Sequence, residues 1–300
     1  MRRAFVVTAA VVVTVTATAA VVILGRHPAT SVNTSRGGPS AAREAAGAPP
    51  APPQDALALA APDGDRVVAL AVENGRLTAS VTDATGEGLS HLEVRFHVDD
   101  AVVSSQPCGT GCYRAASVAA HPRRVDVVVG GRSIAFALPP RWPNATALLA
   151  GIGRRYRQQR AVAYSERLGS SSTSSLETAW RFEAPDRTSY RIAHGAQGIV
   201  VGGERWDRDS TANRWVRSPQ VPRLFEPRAP WGAGVYDVRL LERTPERIRI
   251  AFVGPGPVWY VVTVDPERLL LRDVRMIATA HLMHDTAFSY GGRIGIAPPR

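Results

Sequence analysis

The chain has 300 residues, of which 45% are hydrophobic and 21% are charged, and this composition excludes wholesale disorder because chains of this kind bury real cores. The formal net charge is +10, and every basic residue that contributes to it is an arginine. The arginines are dispersed beside acidic residues instead of forming runs, so they indicate solvated strand faces and predict no nucleic-acid partner.

The N-terminal stretch 4–25 is uncharged and apolar, and it follows two arginines. A run of this length is typical of a membrane-spanning helix whose N-terminus lies in the cytoplasm. A secretory signal peptide is the alternative, because Ala-Thr-Ala at 17–19 forms a small-residue cleavage pattern. We therefore predict a signal-anchor or signal peptide over 1–25, with membrane attachment through 4–24. The folded part would be extracytoplasmic on a single-pass cell-membrane protein, or secreted after cleavage.

Residues 26–61 are rich in Ala, Pro, Gly and Ser and contain no aromatic residue, which predicts a disordered linker. Residues 62–140 then show short runs of β-forming residues separated by Asn-Gly, Pro-containing and Gly-Gly turns. This spacing predicts a small all-β domain, and an immunoglobulin-like β-sandwich fits it best. Along 92–98 the alternation places Phe96 on a buried face and His97 in solvent.

The two cysteines of the chain, Cys108 and Cys112, are separated by Gly-Thr-Gly. The glycines allow the chain to double back, so we predict a small-loop disulfide. A zinc site would need two further ligands, and no histidine lies at a suitable spacing. Cuprous copper, which accepts fewer soft ligands, stays open as an alternative. No cofactor is expected.

One amphipathic helix is predicted from Asn144, which is a good N-cap, over about four to five turns. Its apolar face carries residues at helical spacing: Leu148, Leu149, Ile152 and Tyr156. From Ala163 to the last residue strand follows strand, without a second convincing helix. Residues 144–300 are therefore predicted to form an α+β domain with one main helix and an antiparallel sheet that curves around something.

Four stretches of this second domain carry a resemblance. They are an aromatic strand ending in Ala-Pro-Asp at 182–186, an Ile-Val strand before a glycine turn at 199–203, a tryptophan-bearing hairpin at 206–215 and a Val-Asp-Pro turn at 264–266. In this order they resemble the LolA-like family of envelope carriers, which includes mycobacterial-type lipoproteins. The resemblance implies an open, curved antiparallel half-barrel with a helix in its mouth, enclosing an apolar cavity for acyl chains.

A second, weaker similarity covers residues 62–300, including the Pro-Cys-Gly-Thr-Gly-Cys motif and the tryptophan hairpin. This region is similar to the extracytoplasmic tail of CopD-like copper-resistance membrane proteins. The similarity implies a link to copper resistance.

Trp206 and Trp215 flank a turn-rich loop and are predicted to lie near each other on one face of a hairpin. One helix offers too little apolar surface to cover a sheet of about ten strands, so we expect a cavity. A filled core against the helix is the alternative. The predicted lining of the cavity is Trp180, Phe182, Ile199, Val201, Trp206, Trp215, Phe252 and Trp259.

Enzymatic motifs are missing: the sequence has no nucleophile elbow, no P-loop and no His-Glu-x-x-His. His281, Met283 and His284 are weak candidates for metal ligands, and a polar loop is the favoured interpretation of this cluster. We therefore predict a membrane-anchored protein that is not an enzyme and that binds a lipid or other apolar ligand. The alternative is a non-enzymatic envelope sensing or interaction module, linked to copper resistance, with an unidentified protein partner.

Overall fold

The computed structural model describes residues 47–116, 121–169, 175–211, 214–256, 258–278 and 281–300. Within these ranges the chain forms twenty strands and one α-helix, and every strand pair is antiparallel. The predicted mainly β class is therefore confirmed.

The first nine strands form two sheets, with the strand orders β1-β2-β3-β7-β6 and β5-β4-β8-β9. Their bounds are β1 (Leu57–Asp63), β2 (Arg66–Glu73), β3 (Arg76–Thr82), β4 (Val94–Val98), β5 (Ala101–Ser104), β6 (Gln106–Gly109), β7 (Cys112–Ala116), β8 (Arg124–Val129) and β9 (Arg132–Ala137). Side chains from both sheets meet in one hydrophobic core, with Leu70 of β2 and Phe96 of β4 among the most buried. His97 is exposed, as the alternation predicts. Gly130 and Gly131 both adopt positive φ in the β8–β9 turn, which confirms the predicted hairpin.

The helix, α1 (Thr146–Arg157), has 12 residues and is shorter than the sequence predicts. The N-cap is Ala145, one residue later than predicted, and no side chain caps the helix there. Asn144 lies just before it, and its Oδ1 accepts a hydrogen bond from the Thr146 backbone N–H at 2.9 Å, which forms an Asx turn. The helix ends early because the chain enters the next strand at Ala161. Its buried side is the predicted one, with Leu149, Ile152 and Tyr156 inside.

The remaining strands form one open sheet of eleven. Their bounds are β10 (Ala161–Gly169), β11 (Ser175–Glu183), β12 (Arg187–Ile192), β13 (Gln197–Val201), β14 (Glu204–Arg208), β15 (Val216–Pro219), β16 (Tyr236–Arg243), β17 (Ile248–Gly254), β18 (Val258–Val264), β19 (Leu271–Ala278) and β20 (His281–Tyr290). The spatial order is β15-β14-β13-β12-β11-β10-β20-β19-β18-β17-β16. The sheet thus has two arms, β10–β15 and β16–β20, which meet where β10 pairs with β20.

The two faces of this sheet contact different partners. Phe252 pairs with Tyr260 across β17 and β18, and its ring packs against Trp231 on the side that α1 occupies. Val253 pairs with Trp259 on the opposite side, where both contact strands β1 and β2 of the first domain. We call these the helix face and the sandwich face. Residues directly opposite each other in a ladder share a face, so the register assigns the other strands.

Strands β1 and β2 are buried on both sides. Leu57 and Leu70 point into the core of the first domain, whereas Ala58 and Val67 pack on the sandwich face of the large sheet. Because β1 begins at Leu57, the prediction of a disordered linker up to residue 61 is corrected at its end. The run Leu-Ala-Leu-Ala-Ala lacks alternation with polar residues because both of its sides are covered.

A polar junction accompanies this packing. The Asp55 backbone N–H donates to Asp237 Oδ1 at 2.8 Å, and the Arg239 guanidinium donates to the carbonyl of Ala56 at 3.2 Å and to the Asp55 carboxylate at 2.7 Å. Burial raises the pKa of Asp237 to about 6. The start of β1 is therefore fastened to β16, which lies at an edge of the large sheet.

The structure contradicts the prediction of a single-pass membrane protein, because no helix within the described ranges is long and apolar enough to cross a bilayer. The assignments of a signal-anchor and of a cell-membrane location are corrected accordingly. The stretch 4–25, which prompted them, lies outside the described residues, as does most of the predicted linker.

Candidate functional site

The structure divides the eight predicted cavity residues between the two faces of the large sheet. The register places three of them on the helix face: Trp180, Phe182 and Phe252. It places the other five on the sandwich face: Ile199, Val201, Trp206, Trp215 and Trp259. Alternation along one strand shows which of its residues share a face. Which residues of two different strands share a face depends on the pairing register, and the sequence alone does not give that register.

The helix face carries a continuous row of aromatic rings. Each ring packs on the next, with centroids 5.0 to 6.1 Å apart. This aromatic row consists, in order, of Tyr190, Trp180, Phe182, Tyr164, Phe288, Tyr290 and Tyr156. It crosses β12, β11, β10 and β20 and ends on α1. The sequence prediction included only Trp180 and Phe182 from this row.

Two different parts of the chain lie over the helix face. Helix α1 meets the aromatic row through Tyr156. The segment 220–235, which we call the cover loop, contains no helix or strand and connects β15 to β16. Its Trp231 ring packs on Phe252, and its Glu226 backbone N–H donates to the carbonyl of Pro185 at 2.8 Å. In this arrangement Trp180 is only 9% exposed.

Two carboxylates lie beside the aromatic row on the same face. Glu166 of β10 and Asp285 of β20 are direct partners in the ladder and are 4% and 0% exposed. The Trp180 indole N–H donates to Glu166 Oε1 at 3.1 Å. Buried carboxylates are costly unless hydrogen bonds or a shared proton compensate them, so this pair is an unusual feature of an apolar interior.

The sequence analysis missed this acidic pair although a signal was present. Glu166 follows Val162 and Tyr164 at a spacing of two, and Asp285 follows Met283 in the same way. An acid in phase with the apolar side of a strand is predicted to lie inside.

The phenols at the α1 end of the aromatic row are held neutral. Burial raises the pKa of Tyr156 well above its usual value, and the nearby Asp285 adds to this rise. Burial also raises the pKa of Tyr290, whose hydroxyl donates to the carbonyl of Leu271 at 2.7 Å. Such phenols serve as packing groups and hydrogen-bond donors.

Trp206 and Trp215 lie on the same face of their hairpin, as the sequence predicts. An arginine of the neighbouring chain segment stacks over each indole. The Cζ of Arg217 lies 6.0 Å from the ring centroid of Trp206, and the Cζ of Arg208 lies 5.0 Å from that of Trp215. The face is the sandwich face, at a distance from the first domain along the sheet. The two indoles therefore belong to an arginine-rich surface and lie on the side opposite the aromatic row.

The histidine cluster lies in strand β20, so the favoured loop interpretation is corrected. Pairing puts Met283 opposite Met276 on the helix face, whereas His284 points to the sandwich face. There the His284 Nε2 contacts the Asp273 carboxylate. His281 and His284 are three positions apart on a strand, so they point to opposite faces. Among the described residues no group of three or more His, Cys, Asp or Glu side chains could hold a metal ion.

Cys108 and Cys112 are joined by a disulfide across the β6–β7 hairpin, with their Cα atoms 5.0 Å apart. This agrees with the predicted pairing and leaves neither sulfur as a free thiolate for copper. Gly111 is required in the turn, because a Cβ there would lie 2.5 Å from the Cα of Gly88.

No protein-family model matches the chain, and no curated protein matches it either. The geometry of the large sheet therefore carries the functional argument.

Proposed function

We propose that this protein is a non-enzymatic binding protein that holds a lipid or other apolar ligand against the aromatic row of the helix face. The observation that carries the proposal is the row itself, seven rings in unbroken contact along one face of the sheet. Ligand pockets for apolar molecules are lined mainly by aromatic and aliphatic side chains with a few polar groups. Glu166 and Asp285 supply polar groups beside the row.

The way the row is covered supports the same proposal. Helix α1 meets the row through Tyr156, which packs on Tyr290 and also lies near Tyr164. The cover loop contacts the sheet at Phe252 and the turn at Pro185, and an irregular segment opens at a lower free-energy cost than a packed helix or strand. In this proposal the cover loop opens to admit a ligand to the row, and each methylene of a ligand buried there would contribute about 0.8 kcal/mol.

The finer fold assignments belong to this proposal. We propose an immunoglobulin-like sandwich for the first domain, supported by two antiparallel sheets that share one core. We propose a LolA-like half-barrel for residues 144–300, supported by a single described helix on one face of a long antiparallel sheet. We propose no enzymatic role for Glu166 and Asp285, since both carboxylates are closed off from solvent.

The test is a titration with a fluorescent fatty acid, accompanied by native mass spectrometry of the purified protein. Tyr190→Ala and Phe288→Ala change half-buried members of the row and should each weaken binding at least fivefold. Trp206→Ala is the matched control, because it removes a half-buried ring from the opposite face of the same sheet. The control should bind as tightly as the unaltered protein.

Two results would contradict the proposal. One is the absence of any fatty-acid binding together with no retained apolar mass. The other is binding that is lost in Trp206→Ala and kept in both variants of the row.

An interaction module is the second candidate function, and one observation favours it. Val221 and Phe225 of the cover loop are 83% and 68% exposed, which is unusual for large apolar side chains. In this alternative the cover loop stays closed and presents these side chains to a protein partner. A photo-crosslinking residue at position 225 should then capture one defined protein, while the same residue at the exposed position 95 should not.

The weaker similarity to copper-resistance proteins gains no support from the geometry of the described residues.

A further inference from the structure

The sandwich face of the β10–β15 arm contains a pocket of about 530 Å³, and two of the predicted cavity residues, Ile199 and Trp215, line it. Strands β11 to β14 form its floor and the C-terminal segment 294–300 forms one wall. This segment is fixed in place, because the Ile296 backbone N–H donates to Glu183 Oε2 at 3.1 Å and the Ile296 carbonyl accepts from Arg187 at 2.7 Å. The pocket is thus bounded by a strand ladder and by an anchored stretch of chain.

Four arginines line this pocket: Arg181 of β11, Arg191 of β12 and Arg208 of β14 from neighbouring strands, and Arg300 from the C-terminal segment. In the ladder Arg191 pairs with Gln197, which pairs with Arg208. Arg191 and Arg208 are therefore two strand spacings apart, which is about 10 Å. Arg181 lies diagonally across from Arg191 at about 7–8 Å between their Cα atoms.

The charge of these arginines is not neutralised locally. None of the described residues that line the pocket is Asp or Glu. Arg208 donates to Gln197 Oε1 at 3.0 Å and stacks on Trp215. In the part of the chain that the structure describes, Arg181 and Arg191 have neither an ion pair nor a side-chain hydrogen bond. By contrast, two other arginines of the same hairpin region do pair with acids, Arg205 with Asp207 and Arg217 with Glu204.

We propose that this pocket binds a small organic anion, a molecule that carries a carboxylate or phosphate group on an apolar body of about the size of an aromatic ring. The guanidinium groups of Arg181 and Arg191 hold the anionic group, since guanidinium matches both groups with paired hydrogen bonds. The apolar body contacts Trp215, Ile199 and Ile294, which also line the pocket. The volume lies within the range of small-molecule sites.

The register puts Arg191 and Ile199 on the face opposite the aromatic row, although Tyr190 of the row also lines the pocket. Phe288→Ala changes the row without touching the pocket, and Arg181→Gln/Arg191→Gln changes the pocket without touching the row. Either proposal can fail without the other.

The test is isothermal titration calorimetry of the whole chain with four probes: phenyl phosphate, 1-naphthoate, inorganic phosphate and benzyl alcohol. Phenyl phosphate and 1-naphthoate should bind, inorganic phosphate should bind at least fivefold more weakly, and benzyl alcohol should not bind. Raising the salt concentration should weaken binding of the two organic anions, because the contact is between charges.

Variants locate the site. Arg181→Gln/Arg191→Gln should weaken phenyl phosphate at least tenfold, and both side chains are exposed, so the fold should persist. The matched control is Arg154→Gln/Arg155→Gln, which removes two exposed arginines of α1 and should leave the affinity unchanged. Trp215→Leu should weaken 1-naphthoate more than inorganic phosphate.

Several outcomes would overturn the proposal. They are no binding of either organic anion, equal loss of affinity in the pocket variant and the control, and inorganic phosphate binding as tightly as phenyl phosphate. Binding of benzyl alcohol with the same affinity as phenyl phosphate would also overturn it, since the arginines would then contribute nothing.

Discussion

The two arms of the large sheet differ in what covers their sandwich faces. In the β16–β20 arm, residues 250–253 are fully buried, because β1 and β2 cover one face and the other packs under α1 and Trp231. In the β10–β15 arm, all five residues of β14 are only half-buried. There the hairpin is held by ion pairs and by arginines stacked on indoles.

This difference shows how the sequence of a strand depends on its partners. A strand with two covered faces reads Ile-Ala-Phe-Val without a polar interruption, whereas β14 reads Glu-Arg-Trp-Asp-Arg. The covered arm is therefore the more tightly packed part of the sheet, and the open arm carries charged groups that contact solvent. Both proposed binding sites lie wholly or largely on the open arm.

The largest expected effect separates tryptophans of the two arms. Trp259→Ala should lower the free energy of unfolding by about 3–5 kcal/mol, because it leaves a cavity between β18 and the first domain. Trp215→Ala on the open arm should cost about 1 kcal/mol or less, since the half-buried ring mainly loses its stacking on Arg208. Urea unfolding followed by circular dichroism measures both. Equal losses would mean that the two arms are packed alike.

A glycine substitution tests how closely the open arm is packed on its helix face. A Cβ at Gly198 would lie 2.1 Å from the ring of Tyr190, so Gly198→Ala must displace the end of the aromatic row. We expect a loss of about 1–3 kcal/mol, the usual cost of overpacking. Gly203→Ala is the control, because its nearest neighbour would be 3.7 Å away, and it should be nearly neutral. If the two variants have the same unfolding midpoint, Tyr190 is not fixed over Gly198.

The polar junction gives the covered arm a pH dependence. Because burial raises the pKa of Asp237 from 3.8 to about 6, the folded state prefers the protonated carboxyl. The stabilising contribution of this group is complete below pH 3.8 and is lost as the pH rises through about 6. Asp237→Asn removes the charge, so it should gain about 2 kcal/mol relative to the unaltered protein between pH 4 and pH 7. Urea midpoints at both pH values give this difference, and a constant offset would exclude the effect.

The smallest change in the free energy of unfolding is expected for the disulfide, which lies outside the large sheet. The Cys108–Cys112 disulfide closes a very short loop of the first domain, so Cys108→Ser/Cys112→Ser should cost less than about 2 kcal/mol. Binding at either proposed site should be unchanged. Alkylation of the denatured, non-reduced protein should label neither sulfur, and quantitative labelling of both would disprove the bond.

The alternation of apolar and polar residues predicted side-chain orientation correctly where a strand has one solvent-exposed face. Phe96 and His97 fall on the sides that alternation predicts, and the helix begins within two residues of Asn144, which forms a turn just before it. Alternation failed for β1, where covering on both sides removes the polar positions and made a strand look like part of a linker. It also failed for β20, because histidines and an aspartate gave a central strand of the sheet the composition of a loop.

The two proposed binding surfaces could not be predicted from the sequence of any single strand, because each depends on how strands pair. Phe252 and Trp259 both looked like cavity residues, but only the pairing of Phe252 with Tyr260 shows that they face opposite ways. The aromatic row depends in the same manner on β20 pairing with β10, which are more than one hundred residues apart. The arginine pocket depends on the C-terminal segment returning to β11.

The shared ribbon of β1 and β2 also determines how the molecule can be divided. Its side chains fill two cores at once, so either core would lose a wall if the chain were cut between the domains. A recombinant fragment that starts at residue 62 would lack most of β1 and would expose the face that carries Val253 and Trp259. Calorimetry of the intact chain should accordingly show one cooperative melting transition for both domains, and expression trials should begin upstream of Asp55.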